Sequence, residues 1–323
     1  MKARAQPPQS DSAPLVRVAR YAMGCRFEAA LHGSAASFLR AAGEAALAEV
    51  ERLDAQLSLF NPSSEVCSLN AHAGARPVRV SPRLLELLRQ CSDFSSRTHG
   101  AFDITVEPLL RCWGFRQERS SPPAAEEIRH TLRCVGMLHV VLDEEALTVR
   151  FTRPGMALDL GGIGKGYAID AATEALREAG VESALIHAGT SSVYALGAPP
   201  GSDAWQVAVA PDHALVEGSA PILRLRNQAL SVSSARGRTV RVAGRQYGHV
   251  LDPRTGYPAR GARLTAVVHP SAAAAEALST ALIVGGEELW QKIQAAWPGA
   301  SVIIVPQGEE PTRDGRVWGG PAP

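Results

Sequence analysis

The chain has little of what several functional classes require. Aromatic residues make up only 5% of its 323 positions, which argues against a surface that stacks nucleobases. Charge is nearly balanced. With 33 Lys and Arg against 32 Asp and Glu, the formal net charge is +1, so no global field draws the chain to nucleic acid or to an anionic membrane. No stretch approaches the roughly 18 apolar residues that a bilayer-crossing helix needs. The first 14 residues are polar, with Pro7, Pro8, Gln9, Ser10 and Asp11, and show neither the apolar core of an export signal nor a lipid-attachment cysteine box. The expected location is therefore cytoplasmic as written; a start lying upstream and encoding an export signal would make it periplasmic. Five cysteines, Cys25, Cys67, Cys91, Cys112 and Cys134, are odd in number and far apart. That spacing disfavours a disulfide framework or a thiolate zinc site, and the cysteines read as small buried hydrophobes.

What is there is enough for a full core: 46% of residues are hydrophobic, and the length suits one large domain or two smaller ones. No internal repeat is visible. Residues 1–14 read as a disordered arm, 15–306 as the folded unit and 307–323 as a turn-like tail. Val16 to Leu31 alternates as strands around Met23-Gly24. Ser34 is placed to cap a helix with Leu39, Ala42, Ala46, Val50, Leu53 and Leu57 on one face, and Ser81-Pro82 opens another with Leu84, Leu85, Leu88, Cys91 and Phe94 inward. A polar linker over 116–123 leads to a short helix. A hairpin is expected at His139–Leu142 and Leu147–Phe151, a strand at Met156–Leu160, a helix from Gly166 to Ala179 and another from Ala273 to Val284. Strands run from Ala184 through Val268 and at Val302–Val305. Mixed hairpins and helices predict an α+β (mixed α/β) fold.

Four segments carry candidate chemistry. Leu158-Asp159-Leu160-Gly161-Gly162-Ile163-Gly164-Lys165-Gly166 puts four glycines and a lysine between an extended run and a helix. The glycines admit close backbone approach, the helix start favours anions and the lysine suits phosphate; a tight turn with a surface lysine fits the same residues. The spacing is neither a Walker loop nor a Rossmann fingerprint. Glu276 and Thr280 stand four apart on a helix, so their oxygens share a face that a hard cation would use, although an acidic helix start explains Glu276 equally well. Asp103 lies in the apolar run Gly100–Thr105, where burial demands hydrogen-bond partners, structural or from a ligand. His249 precedes the turn Asp252-Pro253-Arg254-Thr255-Gly256 and is suited to phosphate contact, proton transfer or a structural bond.

Taken in order, these segments resemble the FAD:protein FMN transferase family, also called the ApbE or thiamine-biosynthesis-lipoprotein family. The likeness begins at Met23-Gly24-Cys25, where the family usually has Met-Gly-Thr. It continues through Leu57-Ser58-Leu59-Phe60, Ser64-Glu65, Leu69-Asn70, Gly100–Phe115, Leu158–Asp170, His249–Gly256 and Ala275–Leu282. The resemblance implies an ApbE-like fold of mixed sheets with packed helices. It also implies metal-dependent transfer of the FMN half of FAD to a Thr or Ser hydroxyl of an acceptor flavoprotein, releasing AMP, with magnesium, or alternatively calcium, as the ion. By the same resemblance Met23, Phe60, Ala101, Phe102, Asp103, Asp159, Lys165, His249 and Val250 contact the nucleotide. Gly162, Glu276 and Thr280 hold the metal, and His249 and Asp103 are the candidate catalytic groups. Departures are Glu276 for an aspartate, Cys25 for a threonine, Ala188-Gly189-Thr190-Ser191 for a Gly-Gly-Asp turn and Ser233-Ser234-Ala235 for Thr-Ser-Gly. An FAD-binding protein without transfer, or a metal-dependent FAD pyrophosphatase, are the alternatives.

Overall fold

Met23 and Gly24 both take left-handed backbone angles, φ 49° and 72°, the requirement of a two-residue turn between right-twisted strands. The turn joins β1 (Leu15–Ala22) to β2 (Cys25–His32) in a register where Ala22 faces Cys25. In this computed structural model residues 14–209, 221–237 and 239–307 are described, with the backbone of 316–318. The expected arm over residues 1–14 lies outside the described residues except for Pro14.

Helix α1 (Ala36–Leu57) buries Leu39, Ala42, Ala46, Val50, Leu53 and Leu57, the face its periodicity marks. Its N-cap is Ala35, which makes no side-chain bond, so the expected cap at Ser34 is one residue early. Then come α2 (Glu65–His72), capped by Ser64, and β3 (Val78–Arg79). The start of α3 (Pro82–Arg97) is as expected: the Ser81 hydroxyl accepts from the Leu84 N–H at 3.2 Å. Short helices α4 (Glu107–Cys112) and α5 (Ala125–Leu132) precede the hairpin of β4 (Val140–Asp143) and β5 (Thr148–Phe151).

The run Met156–Leu160, expected as a strand, joins no ladder. Asn70 brackets Leu158 instead, donating to its carbonyl at 3.0 Å and accepting from its N–H at 2.7 Å. Asp159 N–H donates to the Ile104 carbonyl at 2.7 Å. These partners satisfy backbone groups that a neighbouring strand would otherwise take.

Helix α6 (Gly164–Glu178) follows the glycine turn, then β6 (Ser183–Ala188) and β7 (Ser192–Leu196). Next are β8 (Trp205–Ala208), β9 (Ile222–Leu225) and β10 (Gln228–Ser234). The chain continues through β11 (Thr239–Val242), β12 (Arg245–Gly248) and β13 (Leu264–His269). Helix α7 (Ala272–Ile293) outruns the expected end at Val284, breaking its helical angles only at Gly286, and β14 (Ser301–Val305) follows. Beyond Gln307 the tail holds β15 (Arg316–Trp318), whose backbone pairs with β14 where a turn-like segment was expected.

Eight strands form one sheet in the order β1-β2-β6-β7-β10-β13-β14-β15, every neighbouring pair antiparallel. Helices α1, α6 and α7 pack on one face. Burial alternates along β6, with Ala184, Ile186 and Ala188 fully buried, as a strand facing helices on one side requires. Over the other face a smaller core gathers Val193, Leu230, Ala266 and Val268 with Leu225 of the β8–β9 hairpin. A third core joins Leu109, Leu110, Trp113, Phe115 and Ile128 to Leu251. Among the described residues, no helix is long and apolar enough to cross a membrane. All five cysteines are free; Cys91 and Cys112 are buried, the other three half-buried.

Candidate functional site

Helices α6 and α7 begin at the same corner, and their crossing builds the floor of the site. Gly166 makes the approach close enough, because a side-chain carbon there would stand 2.6 Å from the Ala272 carbonyl carbon and 2.8 Å from Ala273 N. The half-buried Asp170 carboxylate on α6 then caps α7. It accepts from Ser271 Oγ and Ala272 N at 2.7 Å and from Ala273 N at 3.0 Å, satisfying first-turn donors that have no partner within the helix. This lock sets the phase of α7, so that Glu276 faces α6. Glu276 is buried, with one oxygen on the Lys165 ammonium and the other accepting from Gly166 N–H at 2.5 Å. Burial pulls the Lys165 ammonium down, but the Glu276 carboxylate outweighs it and holds it above its ordinary value. One turn on, Thr280 Oγ1 lies 3.4 Å from where a Gly162 side chain would begin, and Phe102 Cε2 is equally near that point.

A second wall comes from Ala101–Asp103 and the segment after α4. Asp103 is buried, and both its oxygens are engaged: one accepts from Thr105 N at 2.8 Å and Thr105 Oγ1 at 2.6 Å, the other from Met137 N at 2.9 Å. Burial pushes its carboxyl above the usual range against the pull of those bonds. Asp159 accepts from Gly161 N at 2.5 Å and pairs with Arg116. Arg116 in turn grips buried Glu107, with Nε at 3.0 Å and Nη2 at 2.6 Å from Oε2, and lies 5.5 Å from the Phe60 ring centre.

The third wall is the segment after β12. The Trp113 indole N–H donates to the Gly256 carbonyl at 2.7 Å, and Gly256 N–H closes the turn on the Asp252 carbonyl at 2.7 Å. The turn follows His249 and Val250, which line the same cleft as the glycine segment, with His249 Cε1 3.6 Å from the position of a Gly237 side chain. The three walls enclose a cleft of about 990 Å³. It brings together Ala101, Phe102, Asp103, Asp159, Gly162 and Lys165 with His249, Val250, Glu276 and Thr280. Of the candidate residues, Met23 and Phe60 stand apart from this wall. Met23 is half-buried at the hairpin tip, where its N–H donates to Asp54 Oδ2 at 2.9 Å, and Phe60 is 74% exposed. Among the described residues, no group of three His, Cys, Asp or Glu side chains is arranged to hold a metal, so a cation here would rely on hydroxyl and backbone oxygens too.

Against this geometry the comparisons are decisive for family. The ApbE family model matches residues 23–304. The chain belongs to the ApbE family. A relative within it, the FAD:protein FMN transferase of Rhodobacter capsulatus, is 32% identical over 313 residues, which is 96% of this chain and 58% of that protein. The protein of the same name from Klebsiella pneumoniae is 33% identical over 210 residues, 65% of this chain and 64% of its own. The chain therefore spans about three-fifths of the length of these relatives. The ApbE protein of Thermotoga maritima superposes with a TM-score of 0.82 at 30% identity, over 94% of this chain and 96% of that one. The Pseudomonas stutzeri flavinyl transferase ApbE, in its apo form, gives 0.77 at 28% identity, over 92% and 93%. The fold is thus the α+β architecture of ApbE structures.

Arg116 and Ser231 line the cleft without having been candidates, and Ser233, noted only as a departure from Thr-Ser-Gly, lines it too. Arg116 opens a stretch read as a polar linker, and its carboxylate partners are 9 and 43 positions away. The two serines meet Ser279 Oγ at 3.1 and 2.8 Å beneath Thr280, and strand alternation alone gives no sign of that bond.

Proposed function

We propose that the chain transfers the FMN moiety of FAD to a Thr or Ser hydroxyl of an acceptor flavoprotein and releases AMP, with a divalent cation at the α6–α7 corner. One observation carries this reading: a single cleft joins the glycine turn and Lys165, suited to a pyrophosphate, to the hard oxygens of Glu276 and Thr280 and to a histidine. The donor set fits such an ion. A carboxylate and a hydroxyl one helical turn apart, with a backbone oxygen at Gly162 beside them, are the ligands magnesium or calcium takes. When bound, the ion would neutralise pyrophosphate charge and stabilise the AMP leaving group.

The chain's own groups supply the rest. Backbone N–H groups at the start of α6 and the Lys165 ammonium bind the pyrophosphate. His249, which lines the same cleft ahead of the Trp113-anchored turn, takes the acceptor hydroxyl proton on a ring nitrogen as the new phosphoester forms. The three hydrogen bonds Asp103 already accepts suit it to fixing the Phe102 wall against the nucleotide, and proton transfer falls to His249.

The test is incubation with FAD, magnesium and a candidate acceptor, read as covalent flavin fluorescence and released AMP. Transfer should vanish when the acceptor threonine becomes alanine or valine; labelling that survives both changes would refute hydroxyl attack. Binding of FAD without AMP under any metal would support the reading as a flavin-binding protein, which the Lys165 pair on Glu276 favours.

A further inference from the structure

We propose that Lys165 is an internal counter-cation that keeps a divalent ion off Glu276 until the FAD pyrophosphate draws the ammonium away, so that nucleotide and metal bind cooperatively. The inference rests on the reading of the cleft as an FAD and metal site. Both Glu276 oxygens are committed, to Lys165 Nζ and to Gly166 N–H, and the side chain is only 5% exposed. A cation that takes Glu276 must therefore displace the ammonium, because two positive centres cannot share one buried oxygen without strong repulsion. Displacement into nothing is also unfavourable, since it strands a charged amine in a partly buried wall. The cleft itself offers Lys165 a destination. Lys165 lines it beside Gly161 and Gly162, at the helix start suited to an anion.

Charge balance makes the exchange concerted. The Lys165–Glu276 corner is neutral. A dinucleotide pyrophosphate brings two negative charges and the metal two positive, so both together leave the corner neutral. Either alone leaves it charged in a setting that screens poorly. Linkage then requires that FAD tighten metal binding by the same factor as metal tightens FAD binding, in the common range of about 5- to 150-fold.

The experiment is Mn²⁺ titration followed by electron paramagnetic resonance, with and without FAD and corrected for Mn²⁺ held by free FAD. Manganese takes the same oxygen ligands as magnesium. Wild type should bind Mn²⁺ weakly alone and roughly tenfold or more tightly with FAD. Lys165→Met, which keeps bulk and removes charge, should bind Mn²⁺ tightly without FAD and gain little from it. Lys165→Gln serves the same comparison if Lys165→Met fails to fold. A Lys165 variant that binds Mn²⁺ no tighter than wild type, or a wild type indifferent to FAD, overturns the proposal. Glu276→Gln separates the two failures. If it binds Mn²⁺ with FAD as wild type does, the metal assignment itself is wrong. If it loses Mn²⁺ while Lys165→Met changes nothing, only the counter-cation role falls.

Discussion

Asp170→Ala should be among the most damaging single changes in the chain, although Asp170 is not among the candidate ligand contacts. The half-buried carboxylate accepts three hydrogen bonds, two of them from backbone N–H groups in the first turn of α7 and one from Ser271 Oγ. Alanine leaves those two amides without a partner in a place water reaches poorly, at a cost of about 1–3 kcal/mol each. It also removes an anion from a helix N-terminus, worth roughly 0.3–1 kcal/mol more. The expected loss is thus about 2–7 kcal/mol, read as a fall in the urea midpoint at unchanged slope. Asp170→Asn keeps one acceptor oxygen but turns an amide donor toward N–H or O–H donors, so its loss should fall between those of wild type and alanine. Because α7 carries Glu276 and Thr280, folded Asp170→Ala should also need more metal for half-maximal transfer. A midpoint shift equivalent to less than about 1 kcal/mol would show that the α6–α7 lock is not what holds the corner.

Three further outcomes follow from the same geometry. Glu276→Gln should lower stability by about 1–3 kcal/mol, because it leaves a partly buried ammonium facing an amide, and should abolish the metal dependence of transfer; an unchanged metal curve would mean Glu276 is not a ligand. Gly166→Ala should destabilise the fold by about 1–3 kcal/mol or more and separate Lys165 from Glu276, since the new carbon meets backbone that cannot turn aside; wild-type stability in a thermal melt would contradict the crossing described. Burial holds His269 below its ordinary value of 6.5, with Arg97 adding to the effect. Its contribution is therefore fully present above that pH and is lost as pH falls through the lowered value. Acidification should cost wild type more than His269→Gln in urea melts, and parallel losses would exclude His269 as a source.

The parts of the fold legible in the sequence are those whose causes are local. The Met23-Gly24 hairpin follows from turn chemistry, the inward faces of α1 and α3 from periodicity, and the start of α3 from Ser81-Pro82. Errors arose where a distant partner decided the outcome. Met156–Leu160 is apolar and short like a strand, but Asn70, 88 positions from Leu158, supplies the bonds a ladder would give. Glu276 lines the cleft together with Thr280, but the Lys165 ammonium that pairs with it lies 111 positions away, and no spacing rule reaches that far. Asp103 was the opposite case: a carboxylate in an apolar run must find donors, and Thr105, two residues on, supplies two of them.

The lock between α6 and α7 also bears on the time at which the chain becomes competent. The bond from Ser271 to Asp170 spans 101 positions and the Lys165–Glu276 pair 111, so each closes a loop through half the strands of the large sheet. Closing a loop of that size costs about 4 kcal/mol in chain entropy before any contact returns it. Contacts of such separation form late in folding. During synthesis, α6 can emerge and coil with its glycine turn complete, yet the corner does not exist until α7 has left the ribosome. On the proposed function, FAD would have no earlier half-site of this kind to occupy. A nucleotide and cation bound as proposed would stabilise only the finished chain, drawing the last docking step forward by mass action and leaving the earlier ones untouched.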